Sequence, residues 1–230
     1  MPWLEILLAG MVAMLTGLDR TALLQVMISR PIVAAPLTGL ILGDLQSGLA
    51  IGLMTELLWL TRIPVGAAIP PDDTQIAVGA TTLVIVFGPL WGYAGPGLLI
   101  LALLIAMPLG KAGQWLDHLA RSQNGRLQKR AEQILATGDY AQVERLHWQG
   151  VGHFAFASLI TYLVIVTAGA VALYFLAPVF LSMLQDHSGW LRLVFPLSGI
   201  AVILSSMNIS RTLTLFGASF TTAILMLWLA

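Results

Sequence analysis

Apolar residues dominate two parts of the chain, 3–109 and 151–230, and thin out between them, where six of the eleven Lys/Arg residues stand: Lys111, Arg121, Arg126, Lys129, Arg130 and Arg145. The second part divides cleanly. Its run 152–175 exceeds the roughly 20 residues that span a bilayer as a helix, and 190–209 and 213–229 predict two further spans. The first part does not divide this way. Residues 3–18 make a marginal span, while 32–43 and 47–61 are both short and lie either side of Gly43. Short segments interrupted by Gly and Pro predict discontinuous or re-entrant helices, whose irregular backbone is tolerated where protein surrounds it. A longer run, 76–105, carries predicted breaks at Gly88-Pro89 and Gly95-Pro96-Gly97. In the polar middle, RLQKRAEQILA puts Leu127, Ala131, Ile134 and Leu135 on one helical face. Thr137-Gly138 then stops the helix, and Asp139 with Gln142 forms a capping box for the next. The pattern predicts an amphipathic helical hairpin lying on the membrane surface, on the cytoplasmic side by its Lys/Arg excess.

Composition turns this pattern into a class. The chain is 58% hydrophobic and 10% charged, with a mean hydropathy of +0.88, which predicts an all-α polytopic membrane protein. Its predicted parts are a membrane part with broken helices (1–110), an amphipathic loop (111–150) and C-terminal membrane helices (151–230). The opening MPWLEILLAG has no basic region and carries Glu5, so it reads as a retained membrane segment. Zero formal charge removes global attraction to nucleic acid. The absence of cysteine excludes disulfides and thiolate chemistry. His118, His147, His153 and His187 lack metal-ligand spacing, and there is no glycine-rich phosphate loop, so no metal or other cofactor is expected.

Within the first part, the stretch IGLMTELLWLTRIPVGAAIPPDDTQIAVG holds three carboxylates in an apolar context. Gly48, Gly52 and Glu56 are spaced by four, continuing a small-residue stripe from Gly39 and Gly43, so Glu56 is expected to point into protein. A charge there is retained for a partner, a substrate or an ion; Arg62 and Arg30 are the cations that would neutralise it internally. Pro64, Pro70 and Pro71 predict an extended loop in which Gly66, Ala67 and Ala68 leave room for a ligand against the backbone. Asp72 is placed to cap the following helix, with Gln75 completing the box, while Asp73 has no such duty. Such carboxylates suit the neighbouring hydroxyls of a sugar, with Trp59 covering its apolar face, and equally suit a cation. Asp44, after Gly43, reads as a cap between two helices, and Asn208 as an interhelical hydrogen-bonding residue. Gly217-Ala218-Ser219 departs from the serine motif of intramembrane proteases at Phe220, which disfavours an enzyme of that kind.

The ordered run Arg30-Pro31, Leu42-Gly43-Asp44, Gly48/Gly52/Glu56 and Gly66-Ala67-Ala68-Ile69-Pro70-Pro71-Asp72 resembles the membrane IIC component of the mannose/fructose/sorbose-type sugar phosphotransferase system. The resemblance implies a non-catalytic permease subunit of a bacterial inner membrane that moves a hexose or amino-hexose for phosphorylation by a separate IIB subunit. No phosphorylated residue is expected on this chain. The resemblance also implies a IID membrane partner, soluble IIA and IIB phosphocarriers, and a trimer of IIC–IID pairs. Glu56 and Asp72, then Asp73, become the expected sugar contacts, with Arg30 and Asp44 as scaffold. Two departures stand out: Met27-Ile28-Ser29 precedes Arg-Pro where many members carry polar residues or histidine, and the chain ends one hydrophobic segment early. The readings that compete are an ion-coupled or vitamin-type transporter using the same carboxylates and a reduced, non-transporting relative.

Overall fold

The computed structural model describes residues 2–60, 69–135, 139–186, 193, 197, 199–204 and 212–229, and the described residues form helices joined by turns. Arg62, Pro64, Gly66, Ala67, Ala68 and Asn208 lie outside them. Helix α1 (Pro2–Thr21) is followed by two short helices, α2 (Pro31–Leu42) and α3 (Leu45–Trp59). Gly43 turns the chain between them with φ 88°, a left-handed conformation open to glycine. Asp44 then caps α3, accepting from Ser47 N at 3.0 Å and from Ser47 Oγ at 2.6 Å.

The two short helices run antiparallel in very close contact. A Cβ added at Gly48 would lie 2.6 Å from Ala35 O, and one at Gly52 would lie 2.7 Å from Pro31 O. At about 1.5 Å per residue the 12 and 15 residues extend about 18 and 22 Å, short of the roughly 30 Å hydrocarbon core. They form the re-entrant hairpin expected from the pattern, entering and leaving at the same end of the molecule. Gly52→Leu is therefore expected to force α2 from α3 and to cost up to about 3 kcal/mol, seen as a fall in melting temperature of the purified protein. Gly125→Ala is the control: its Cβ would meet nothing within 4 Å, inside a helix that alanine favours by about 0.5–1 kcal/mol.

The next element occupies the centre. Every residue of α4 (Asp73–Thr82) from Thr74 onward is buried, and α1, α2, α3 and the later helices 96–109 and 140–186 surround it. A π-helical segment, Leu83–Phe87, and the short α5 (Gly88–Leu90) complete the traverse. Pro89 has no N–H for the α-helical ladder and its ring crowds the preceding turn, so the register slips just before it. A turn with Gly95 at φ 94° leads into α6 (Pro96–Leu109). The break expected at Gly95-Pro96-Gly97 is present, whereas at Gly88-Pro89 the helix changes register and continues to Leu90.

Helix α7 (Lys111–Leu135) then packs antiparallel on α8 (Tyr140–Asp186), with Asn124 Nδ2 donating to Gly150 O at 3.1 Å, and α9 (Thr212–Leu229) follows. Asp139 caps α8 through Gln142 N at 3.1 Å. At about 70 Å, α8 is more than twice the depth of the hydrocarbon core. Its first turns therefore stand outside the bilayer with α7 beside them, which corrects the expectation that the hairpin lies on the membrane. The apolar face of α7 turns toward α8, a partner the local pattern does not reveal, with Leu127, Ala131 and Ile134 half-buried and Leu135 exposed.

Among the described residues, four helical stretches are long and apolar enough to cross a membrane: Pro2–Thr21, Asp73–Leu90, Pro96–Leu135 and Tyr140–Met183. The inner core gathers Ile51, Ile76, Leu83, Leu98, Leu103 and Ile165, while Leu7, Met11, Leu15, Phe175 and Val179 are exposed on the outer faces of α1 and α8. An apolar exterior is what acyl chains solvate. The buried Tyr162 fastens α8 to α1 by donating to Ile6 O at 3.0 Å.

Candidate functional site

Four helix ends and the loop joining two of them meet at one end of the molecule: the C-termini of α1 and α3 and the N-termini of α2 and α4. The re-entrant hairpin returns α3 beside the start of α2, which brings Glu56 onto Arg30 in an ion pair. The Arg30 side chain does not cap α2. Glu56 Oε2 instead reaches Ile32 N at 3.4 Å, placing a carboxylate at the positive end of that helix. Glu56 thus points inward as its glycine stripe predicts, with Arg30 as its neutralising cation.

The second pair joins α1 to α4. Arg20 donates to Asp72, lies 3.2 Å from Asp73 and reaches Pro71 O at 3.4 Å. All three side chains are close to buried, at 13%, 14% and 15% exposure. Asp72 also caps α4, accepting from Gln75 N at 3.0 Å. The capping box is nevertheless incomplete. The Gln75 side chain turns away to donate to Ala13 O at 2.8 Å, and the Asp72 N–H donates to Gly110 O at 3.2 Å at the end of α6. Gln75 is fully buried, and its Oε1 has no partner among the described residues.

The loop between α1 and α2 closes the cluster. Asp19, buried at the end of α1, accepts from Val26 N and Ser29 N at 2.8 Å each, and Thr74 Oγ1 donates to Ser29 O at 2.6 Å. Leu24, Gln25 and Met27 all have positive φ, at 61°, 53° and 69°, which is costly for residues with a Cβ. Two backbone hydrogen bonds to one carboxylate hold this strained loop in place. Asp19→Ala is expected to release it, raising the rate of limited proteolysis within 22–29 while leaving cleavage elsewhere unchanged.

The cluster gathers four carboxylates, Asp19, Glu56, Asp72 and Asp73, against two guanidiniums, Arg20 and Arg30, each held by a named partner. The sequence reading had no place for Asp19 or Arg20, and it gave Gln75 a capping role only. Their signal is a charged pair closing an otherwise apolar helix, GLDRT. Two other expectations are corrected. Trp59 is buried in the inner core with Ile76 and Leu101, where its ring is not available to stack on a ligand. Asp44 stands at the opposite end of α3 from Glu56, about 18 Å away along the helix axis, so it caps the hairpin tip and does not support this cluster. Asp44→Ala is accordingly expected to cost about 1 kcal/mol of stability in thermal unfolding.

Residues 3–228 match the sequence profile of EII-Sor, described as the PTS system sorbose-specific IIC component. The chain belongs to this family. Among curated members, the fructose permease IIC component of Bacillus subtilis (strain 168) is 30% identical over 90% of this chain and 73% of its own length. The mannose-specific EIIC component of Escherichia coli (strain K12) is 30% identical over 63% of this chain and 51% of its own length. The chain therefore spans about half the length of that relative. Among solved structures, one described as the mannose transporter ManYZ with microcin E492 superimposes with a TM-score of 0.62 at 22% identity, covering 96% of this chain and 86% of that one. Another, described as a membrane protein, gives a TM-score of 0.70 at 23% identity over the same shares. The chain is thus an integral membrane protein whose fold is shared with solved membrane proteins.

Proposed function

We propose that this sorbose-type IIC chain is a sugar-translocating permease subunit of a phosphotransferase complex. It would bind a hexose or amino-hexose at the meeting of the helix ends and deliver it to a separate IIB subunit for phosphorylation. The observation that carries this reading is the pairing of Glu56 with Arg30 and of Asp72 and Asp73 with Arg20 where two helix N-termini and two helix C-termini converge. A carboxylate accepts from neighbouring sugar hydroxyls, and the guanidinium it leaves donates to oxygens that lack a proton. Neighbouring hydroxyls that take over the carboxylates would open the ion pairs. Ala67, Ala68 and Gly66 lie in the segment linking the Glu56 helix to Asp72, where small residues would let a ring approach the backbone.

The working complex includes a IID membrane subunit and soluble IIA and IIB proteins, assembled as a trimer of IIC–IID pairs in a bacterial inner membrane. The α7–α8 hairpin would then lie on the cytoplasmic side. Cation coupling at the same carboxylates is the weaker reading, because each already holds a guanidinium that supplies the positive charge.

Uptake of labelled sugars in proteoliposomes tests the assignment. Uptake and phosphorylation are expected only with IID, IIA and IIB present, and are expected to be unaffected by ionophores. Uptake by the IIC chain alone, driven by an ion gradient, would establish the cation-coupled alternative.

A further inference from the structure

The loop that carries Asp72 rests on the first turn of α7. The Asp72 N–H donates to Gly110 O at 3.2 Å, Gln114 Nε2 donates to Ile69 O, and a Cβ added at Gly113 would lie 2.6 Å from the Asp72 Cβ. Asp117 stands one turn beyond Gly113 on the same face of α7. It lines a small polar cleft with Arg20, Asp72, Gly113, Ser158 and Thr161. The cleft measures about 20 Å³, room for a single water and far too little for a hexose.

Asp117 has a partner of its own, accepting from Arg121 Nε at 2.9 Å one turn along α7. The two ends of this pair differ. The Asp117 side chain is 19% exposed and borders the cleft, whereas that of Arg121 is 50% exposed and has a second contact, 5.9 Å from the centre of the Phe154 ring. Arg20 in turn is attracted by three carboxylates, Asp72 and Asp73 before Asp117, and pairs directly with the first two. A guanidinium carries five donors, so it can turn from a carboxylate on α4 to one on α7 without leaving the cleft.

We propose that Asp117 is a positioning residue for sugar binding, the acceptor that takes Arg20 when sugar hydroxyls occupy Asp72. The inference rests on the sugar site proposed above. Opening the pair between Arg20 and Asp72 leaves a nearly buried guanidinium short of a counterion, and an uncompensated buried charge is costly. Asp117, across a cleft one water wide, offsets that cost. Arg121 competes for the same carboxylate, and the Phe154 ring keeps Arg121 in place once Asp117 has turned to Arg20. Because the cleft excludes sugar, Asp117 acts through Arg20. The exchange moves a charge link from α4 to α7, so occupancy of the site is felt at the base of the hairpin.

Binding of fructose, mannose and sorbose is measured by isothermal titration on the assembled IIC–IID complex in nanodiscs. For the sugar that the parent takes, Asp117→Asn is expected to weaken binding about tenfold and Asp117→Glu to restore most of it. Arg121→Gln, which frees the acceptor, should tighten binding roughly two- to fivefold, and the tightening should vanish in Asp117→Asn/Arg121→Gln. Opposite signs at the two ends of one ion pair are not the result of a merely structural role. A second measurement needs no sugar. Asp117→Asn should lower the melting temperature of the parent by about 1–2 °C, and that of Asp72→Asn, where Arg20 has already lost its first partner, roughly three times as far. Unchanged affinity in Asp117→Asn, affinity that falls in Arg121→Gln as well, or equal melting shifts in the two backgrounds overturns the proposal. If none of the three sugars binds the parent, the sugar reading fails; unequal melting shifts then still support the exchange of Arg20 onto Asp117, and equal ones overturn it.

Discussion

Arg20→Met is expected to abolish sugar uptake and to destabilise the protein by about 3–5 kcal/mol, the usual cost of breaking a buried ion pair by removing one partner. The reason is local. Asp72 and Asp73 are adjacent, nearly buried and share the Arg20 guanidinium, so its loss leaves two like charges facing each other without a counterion. For a chain of this length the loss corresponds to a drop of roughly 10 °C or more in melting temperature. Replacing the aspartates as well, in Arg20→Met/Asp72→Asn/Asp73→Asn, should return most of the stability, because no uncompensated charge remains. Uptake should stay absent. Recovery of both together would show that the cluster serves the fold alone, and a melting temperature unchanged in the single variant would refute the ion pair.

Glu56→Gln separates ligand binding from folding. Glutamine keeps the shape of the side chain and an acceptor for Ile32 N, so the variant is expected to insert and assemble with IID. A sugar hydroxyl then loses its charge-assisted bond to the carboxylate, worth about 1.5–3 kcal/mol, and the half-saturating sugar concentration should rise roughly 10- to 100-fold. Arg30→Lys should fall between parent and Glu56→Gln, since an ammonium reproduces the charge but not the fork of the guanidinium. Wild-type half-saturation in Glu56→Gln would remove Glu56 from the proposed sugar site. Asp72→Asn should show a similar rise, accompanied by weaker capping of α4.

Much of the fold was legible along the chain because its signals are local. Gly43, the Gly48/Gly52 stripe and Asp44 describe a tight helical hairpin whose parts are close neighbours in sequence. Pro89 shifts the helical register before it and Pro96 starts a helix, both by covalent constraint, whatever surrounds them. The capping aspartates, Asp44, Asp72 and Asp139, bond amides three residues on and could be read directly. Charge partners are different. Arg20 and Asp72 are 52 residues apart, and Arg30 and Glu56 are 26 apart, so many pairings satisfy the same composition. Trp59 illustrates the opposite failure, since an aromatic residue beside a carboxylate reads equally well as a ligand platform or as core.

The sequence by itself determined that this is a helical membrane protein with a short re-entrant hairpin, because apolar run length and the backbone limits of Gly and Pro act within one or two turns of helix. Only the tertiary structure decided which cation meets which carboxylate, that Gln75 reaches Ala13 instead of closing its own cap, and that α7 leans on α8 rather than on lipid. Each of those outcomes depends on groups brought together by packing, and a buried charge or apolar face takes whichever partner the fold places beside it.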